Sequence, residues 1–265
     1  MRKLLLFLVA ISFAQVSNAG FLIYPQKILF HGSMKKQSIK ITNVTDTEKT
    51  YKLKIVNYEQ EKNGGYKVIT EENPVAKFAS KNFRFSPRRV TLKPGKSQTI
   101  NIMVKGKGAL KDGEYRSHLA IVEKDATKMR TASASSGLGF EIKADYGVTV
   151  PVIIRKGKLN MDIKIKSAKL KSDKKGAVLS VDIARKGKKS MRGQFSIFDG
   201  KKEIGVIKNI VVYTNLAGRK FDVNLYKTAS KRISKSALKG KKITIKYNSE
   251  DDDSLKYEVV KELTL

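Results

Sequence analysis

The stretch that decides the fold of this chain is Gly137-Leu138-Gly139-Phe140-Glu141-Ile142-Lys143-Ala144-Asp145-Tyr146-Gly147-Val148-Thr149-Val150-Pro151-Val152-Ile153-Ile154-Arg155. It begins as an alternation of apolar and polar residues and ends as a continuous apolar run. The alternation predicts a strand with one exposed face, and the apolar run predicts burial on both faces. Together they predict one strand of roughly 15 residues, about three times the usual length. A strand of that length must cross between two sheets or offer part of its edge to another chain.

The residues before this strand form a series of shorter strands with no convincing helical period. Turn residues separate several of them, as at Gly64-Gly65, Lys93-Pro94-Gly95 and Lys111-Asp112-Gly113. Short alternating strands at regular spacing are typical of a β-sandwich. The predicted strands cover residues 21–30, 37–43, 51–58, 66–70, 83–92, 98–104 and 114–122.

After Gly157 the pattern restarts without repeating the sequence. Segment 228–240 is ambiguous between a short helix and a loop. The chain is therefore predicted to be all-β, with two sandwich domains at residues 20–156 and 157–265. The predicted strands of the second domain lie near residues 161–166, 177–185, 194–198, 204–213, 220–226, 242–247 and 255–261.

The first 19 residues have the charged start, short apolar core and small-residue end of a secretory signal peptide. We expect cleavage after Ala19; the alternative is an uncleaved anchor, for which the apolar run is too short. No other stretch is long and apolar enough to span a bilayer, so we expect an exported protein without membrane insertion. The chain has no cysteine, so its stability must come from core burial.

The net charge of +31 becomes +29 after cleavage, because Arg2 and Lys3 are lost and no acid is. Most lysines fall on the outward positions of predicted strands, where they keep the sheets soluble and discourage pairing between edges. The alternative is a surface that follows the phosphates of a polyanion. The even spread of charge, the few aromatic residues between the lysines and the predicted export argue against nucleic acid as a partner.

Residue patterns for catalysis or metal binding are sparse. His31 and His118 fall in different predicted elements without ligand spacing, and we predict that each is a satisfied surface or edge residue. Glu250-Asp251-Asp252-Asp253 lacks the spaced ligands and glycine of a calcium loop and is predicted to be a polar turn. No nucleophile motif, phosphate loop or dinucleotide fingerprint is present. We predict a protein that is not an enzyme and needs no cofactor or metal.

Two motifs resemble the periplasmic chaperones of the chaperone/usher pilus-assembly pathway. One is Phe85-Ser86-Pro87-Arg88-Arg89-Val90-Thr91-Leu92-Lys93-Pro94-Gly95, and the other is Asp112-Gly113-Glu114-Tyr115-Arg116-Ser117-His118-Leu119. The order of signal peptide, sandwich, long seventh strand and second sandwich is also similar. The resemblance is good from residue 21 to 155 and weaker beyond. It implies two immunoglobulin-like domains in a boomerang arrangement, located in the periplasm.

The resemblance implies a role for the long strand. In the family, this strand lends apolar side chains to a pilin subunit that lacks its last strand, and an outer-membrane usher receives the subunit. The alternative is that the long strand is an ordinary edge strand that packs only in the core of its own domain. The positions that match the donor side chains are Phe140, Ile142, Ala144, Tyr146 and Val148.

The resemblance also implies an anchor for the subunit's terminal carboxylate in the cleft between the domains. Lys27 matches the first of two basic residues. The second position is occupied by Pro151, a departure from the family pattern, so that Lys143 or Arg116 substitutes or the carboxylate is held differently. A cation in a cleft holds a carboxylate far better than one on open surface does.

Glu114 and Arg155 match positions that form an interdomain ion pair in the family, with an acid from the second domain as third member. One of Asp251, Asp252 and Asp253 is the predicted third member. Segment 123–137 is small and polar, which predicts a mobile loop that orders when a subunit binds.

The expected function is therefore that of a periplasmic chaperone for pilin-like subunits, with an usher as second partner. The identity of the subunit and self-association of the unbound protein stay open. The rival reading is a basic tandem immunoglobulin-like surface protein that binds a polyanion or an adhesion partner. High salt separates the two, because ionic screening weakens polyanion binding far more than strand donation.

Overall fold

The computed structural model describes residues 20–70, 77–124, 128–130, 141–143, 147–250 and 258–265, and for 128–130 and 141–143 it describes the backbone alone. Within these ranges the protein is built from strands, with two 3-10 turns at Lys107–Ala109 and Ser236–Leu238. None of the described helical segments is long and apolar enough to cross a membrane. The predicted signal peptide lies outside the described residues.

The first sandwich pairs two sheets around one apolar core. One sheet has the order β1-β3-β8-β6, and the other has the order β2-β12-β9-β4-β5 with β7 also on β4. Ile39, Ile100 and Leu119 are among the core residues that no solvent reaches. The strands are β1 (Phe21–Tyr24), β2 (Ile28–Phe30), β3 (Lys36–Asn43), β4 (Lys49–Gln60), β5 (Tyr66–Ile69), β6 (Phe83–Ser86), β7 (Arg89–Leu92), β8 (Ser97–Val104), β9 (Gly113–Glu123), β10 (Lys128–Arg130), β11 (Glu141–Lys143) and β12 (Gly147–Lys156).

Two of the predicted strands change sheets half-way, so the single strands predicted at 21–30 and 83–92 are wrong. Residues 21–30 form β1 in one sheet and β2 in the other, and residues 83–92 divide in the same way into β6 and β7. Pro25 and Pro87 stand at the two breaks. Proline has no N–H to donate, so the ladder of hydrogen bonds stops there.

The second sandwich packs a three-stranded sheet, β13-β14-β17, against a four-stranded sheet, β16-β15-β20-β21. Its core is separate from the first and includes Leu179, Phe195 and Tyr247. The strands are β13 (Met161–Asp173), β14 (Gly176–Gly187), β15 (Met191–Asp199), β16 (Lys202–Val212), β17 (Gly218–Asn224), β18 (Tyr226–Thr228), β19 (Lys231–Arg232), β20 (Lys242–Ser249) and β21 (Glu258–Thr264). The predicted all-β fold with two sandwiches is confirmed.

Lysines lie outward along the strands, as predicted. In β4, Lys52 and Lys54 are exposed while Tyr51 and Leu53 are buried. In the edge strand β13, the ammonium group of Lys261 from the opposite sheet donates hydrogen bonds to the carbonyl oxygens of Ile165 and Lys166 at 3.0 and 2.9 Å. These carbonyls are therefore satisfied within the domain, which discourages pairing with another chain at that edge.

The ambiguous segment 228–240 and the predicted mobile loop 123–137 both contain short strands. Within 228–240 the chain ends β18, forms the short β19 and then makes the 3-10 turn. Within the predicted loop 123–137, residues 128–130 form β10, which pairs with β11. The described residues 128–130 are therefore strand rather than loop, and the predicted mobility and ordering on subunit binding stay predictions.

Candidate functional site

The edge of β12 is open along half of its length. On one side β12 pairs antiparallel with β9 over its whole length, from Gly147 opposite Val122 to Lys156 opposite Gly113. On the other side the parallel strand β2 covers only residues 152–154. Among the described residues no strand lies next to 147–151 on that side. Unpaired backbone groups of this kind are a template for an added strand.

The apolar face of β12 extends beyond the core of the first domain. Val150, Val152 and Ile154 point into that core and are at most 1% exposed. Val148 lies two residues earlier on the same face and is 44% exposed. Thr149, on the opposite face, is exposed as well. The row of core-facing side chains therefore continues into solvent at the end of the strand where the sequence predicts the donor residues.

Most of the predicted donor side chains lie outside the described residues. This holds for Phe140, Ala144 and Tyr146, and Ile142 is described only through the pairing of its backbone with Met129. Their role stays a prediction. The continuity of the predicted long strand between β11 and β12 also falls on residues outside the described ranges.

The two predicted anchor positions are neighbours in space. Ile28 pairs with Val152 in the parallel register, so Lys27 and Pro151 stand side by side, one residue earlier on each chain. Two residues after each position, Leu29 and Ile153 pack against Tyr213 of the second domain. Lys27 is half-buried and already interacts with another residue. Its role as the carboxylate anchor stays a prediction.

His118, the cross-strand neighbour of Pro151, is buried, and its prediction as a surface or edge residue is wrong. It is 4% exposed, with the ring of Tyr58 5.0 Å away and that of Tyr66 6.3 Å away. Burial, together with the charge of Arg116, lowers the pKa of His118 to about 3. Its Nδ1 atom is buried and has no hydrogen-bond partner among the described residues. The imidazole is therefore neutral at physiological pH.

Arg116 connects the two domains, and no described contact places it beside the predicted anchor. Its Nη2 donates to the carbonyl oxygen of Tyr58 at 2.8 Å, and its guanidinium stacks 3.4 Å from the ring centre of Tyr213. An aromatic face attracts a cation, and the attraction grows when water is excluded. Arg116 is 8% exposed. In the described part of the chain, the ring of Tyr213 thus takes the place of a carboxylate counterion.

Glu114 and Arg155 form a buried ion pair at the domain boundary. The Arg155 Nε atom lies 2.9 Å from Glu114 Oε2, and neither residue is more than 5% exposed. The same carboxylate oxygen accepts a hydrogen bond from the backbone N–H of Ser190 in the second domain at 3.2 Å. The predicted third member, Asp251, Asp252 or Asp253, lies outside the described residues.

Gln60 is a junction residue that the sequence did not reveal. Its Nε2 donates to the carbonyl oxygen of Val211, and its Oε1 accepts from the N–H of Tyr213, each at 3.0 Å. Its own carbonyl oxygen accepts from Asn215 at 2.8 Å. The side-chain amide of Gln60, in the first domain, thus forms hydrogen bonds with the backbone of the second domain. A glutamine at the end of a strand carries no signal of this role, because its partners are more than 150 positions away.

Comparison with known proteins gives one matching family model and several similar solved structures. A family model described as an Fn3-like domain matches residues 30–152. No curated protein matches the sequence at a significant level. Among solved structures, the chain is similar to the CsuC–CsuE chaperone–tip adhesion subunit complex of archaic chaperone-usher Csu pili from Acinetobacter baumannii, at 14% identity and a TM-score of 0.49, over 91% of this chain and 98% of that one.

Two further solved structures are similar at comparable levels. The CupB2 chaperone of Pseudomonas aeruginosa matches at 11% identity and a TM-score of 0.48, over 92% of this chain and 100% of that one. The DraB chaperone of E. coli matches at 9% identity and a TM-score of 0.40, over 92% and 98%. At these identities the likeness concerns the fold.

Proposed function

We propose that this protein is a periplasmic chaperone that binds pilin-like subunits by lending them the edge of β12 and passes them to an outer-membrane usher. The observation that carries the proposal is the open edge at residues 147–151, with Val148 exposed on the apolar face. The sequence continues the same alternation upstream through Tyr146, Ala144, Ile142 and Phe140. An incomplete subunit would pair with the backbone of this edge and bury its apolar row.

Apolar burial and backbone hydrogen bonds supply the binding free energy of such a complex. Burying one large apolar side chain contributes about 1.5 to 3 kcal/mol. Three or four donor side chains, with backbone hydrogen bonds along the strand, are enough for a firm complex. The groove of a subunit without its last strand would otherwise expose apolar surface and aggregate. Charge plays a minor part in this binding, so it should persist at high ionic strength.

We further propose that Lys27 holds the terminal carboxylate of the subunit. It directly precedes β2, whose residue Leu29 packs against Tyr213 of the second domain, and Pro151 at the second anchor position directly precedes the part of β12 that pairs with β2. A half-buried ammonium group binds a carboxylate through a charge-assisted hydrogen bond, which is shorter and stronger than a bond between neutral groups. Because Pro151 offers no charge, one basic residue would serve here instead of two.

Co-purification from the periplasm of the native cell tests the proposal. The variants are Val148→Asp on the apolar face and Thr149→Asp on the opposite face, compared with wild type at low and high salt. Both residues are exposed, so both variants should fold. We expect a small β-rich subunit to be retained by wild type and Thr149→Asp at both salts, and to be lost with Val148→Asp. The double variant Ile142→Asp with Tyr146→Asp should lose it too.

Two results would contradict strand donation. One is a partner that Val148→Asp and Thr149→Asp retain equally, which would place binding elsewhere. The other is a partner that wild type releases at high salt, which would favour polyanion binding through the exposed lysines.

A further inference from the structure

A basic pocket lies where three strands of the first domain end. Gly32 follows β2, Lys107 and Gly108 form the 3-10 turn after β8, and Lys156 and Gly157 end β12. Lys35, just before β3, completes the wall. The pocket has a volume of about 520 Å³. It is separate from the open edge of β12, which lies at the other end of that strand.

The pocket concentrates positive charge on its walls. Its walls carry Lys35, Lys107, Arg155 and Lys156 and no carboxylate. Arg155 is already paired with Glu114, whereas no ion pair to a carboxylate is found for the three lysines among the described residues. The carboxylate of Asp112 lies against Gly157 at one side of the pocket, which leaves the three lysines in excess over this single acid.

Two of the three lysines are partly shielded from solvent, whereas Lys35 is exposed. Lys107 and Lys156 are half-buried, and the ammonium group of Lys107 donates to the carbonyl oxygen of Gly32 at 2.7 Å. Burial lowers the pKa of Lys107, and the like charge of Lys156 lowers it further. An anion placed between these groups would relieve the repulsion, which is an energetic reason for binding one.

Glycines let a ligand approach the backbone. Gly32 and Gly157 both have a positive φ, of 49° and 77°. Nothing lies within 4 Å of the position that a Cβ atom would take at Gly32 or at Gly108, so the main chain is open there. Backbone N–H groups in such turns, with ammonium groups around them, suit an oxyanion that has several oxygens and more than one negative charge.

We propose that this basic pocket, defined by Gly32, Lys35, Lys107, Gly108, Lys156 and Gly157, binds a phosphate group. Two sources would present the same chemistry: inorganic phosphate and the headgroup of an anionic phospholipid. Three ammonium groups match the charge and the several acceptors of a phosphate better than those of a single carboxylate. The site is independent of subunit binding.

Phosphate titration of the mature full-length protein tests the pocket. The readout is the backbone amide signals of Gly32, Gly108 and Gly157 in 15N–1H NMR spectra, at constant ionic strength with chloride as the comparison anion. We expect a saturable shift of these signals with phosphate and none with chloride. Lys107→Gln with Lys156→Gln should weaken phosphate binding by about tenfold or more, since it removes two charge-assisted bonds.

The matched control is Lys36→Gln with Lys105→Gln, two exposed lysines close in sequence and outside the pocket. It removes the same charge and should change the affinity by less than about twofold. A shift that never saturates, or an equal loss in both double variants, would overturn the pocket and assign the effect to diffuse charge.

Vesicles distinguish the two sources of phosphate. Sedimentation with phosphatidylglycerol vesicles is compared with phosphatidylcholine vesicles, with and without inorganic phosphate. Binding to phosphatidylglycerol that phosphate competes away, and that only the pocket variant loses, assigns a lipid headgroup. Saturable binding of inorganic phosphate without such vesicle binding assigns the free anion. Either result supports the pocket, and failure of the NMR titration contradicts it whatever the outcome for subunit binding.

Discussion

At the scale of single residues, burial rather than residue type sets the chemistry of this chain. His118 is enclosed by strands of the first domain and by two tyrosine rings, and its imidazole is neutral. Glu114 and Arg155 are enclosed together and neutralise each other. The sequence predicted the ion pair through a family resemblance and predicted His118 wrongly as a surface or edge residue, because the depth of each in the protein depends on strands that are distant in sequence.

The burial of His118 predicts a loss of stability in mild acid. Its folded-state pKa of about 3 lies below the ordinary value, so between these values the unfolded chain binds more protons than the folded one. Stability is therefore complete near pH 7 and falls as the pH drops below the unfolded pKa, by about 2 kcal/mol at pH 5. Urea denaturation at pH 7 and pH 5 measures it.

The variant His118→Gln should remove most of this acid sensitivity, and His31→Gln, which changes the other histidine of the chain, should retain it. Equal acid sensitivity in wild type and His118→Gln would show that other groups cause the loss.

The ion pair at the domain boundary predicts a large effect for one substitution. Glu114→Gln leaves Arg155 charged, buried and without its partner, and removes the charged acceptor of the Ser190 N–H. Breaking a buried pair in this way costs about 3 kcal/mol or more. Chemical denaturation measures the cost. Glu262→Gln, which breaks the exposed pair with Lys242, is the control and should have no measurable effect. Equal effects of the two variants would contradict the structural role of Glu114.

At the scale of elements, the strand pattern was largely predictable and the assignment of strands to sheets was not. Alternation in the sequence placed nearly every strand, and the apolar run 150–154 indicated correctly that β12 is buried on both faces. The breaks at Pro25 and Pro87 were not predicted. A strand that changes sheets keeps its alternation on either side of the break, so periodicity alone does not reveal the change.

Lys27, which directly precedes β2, is the proposed anchor for the subunit's carboxylate and should therefore contribute to subunit affinity. If this lysine holds the subunit's carboxylate, Lys27→Ala should weaken binding by about tenfold or more, since a hydrogen bond to a charged group contributes about 1.5 to 3 kcal/mol. Surface plasmon resonance with the co-purified subunit measures it. Lys40→Ala, an exposed lysine on β3, is the control. Unchanged affinity in Lys27→Ala would contradict the anchor while leaving strand donation intact.

At the scale of the whole molecule, two separate cores are joined by a small set of specific contacts. The junction includes the amide of Gln60, the stack of Arg116 on Tyr213 and a minor apolar cluster with Leu29 and Ile153. Each domain has enough buried apolar surface for a core of its own. The contacts at the junction therefore couple two units that are otherwise able to unfold separately.

This coupling predicts a change in thermal unfolding. The double variant Gln60→Ala with Tyr213→Ala removes three contacts. Gln60→Ala removes the donor to the Val211 carbonyl oxygen and the acceptor of the Tyr213 N–H, and Tyr213→Ala removes the aromatic partner of Arg116. We expect differential scanning calorimetry to show one cooperative transition for wild type and two transitions for the double variant. Tyr24→Ala, which changes a residue of β1 that is 79% exposed, should retain the wild-type profile. A single transition in the double variant would mean that other contacts carry the coupling.

The sequence by itself determined the all-β class, the two sandwiches and the outward lysines, because alternation and turn residues act over a few neighbouring positions. It also indicated β12 as the exceptional strand. Only the tertiary structure decided which side of β12 is open, that His118 is buried, and that Gln60 and Arg116 join the domains. These properties depend on which strands lie side by side, and such contacts link residues far apart in the chain. The basic pocket has the same origin, since three strand ends bring its lysines together.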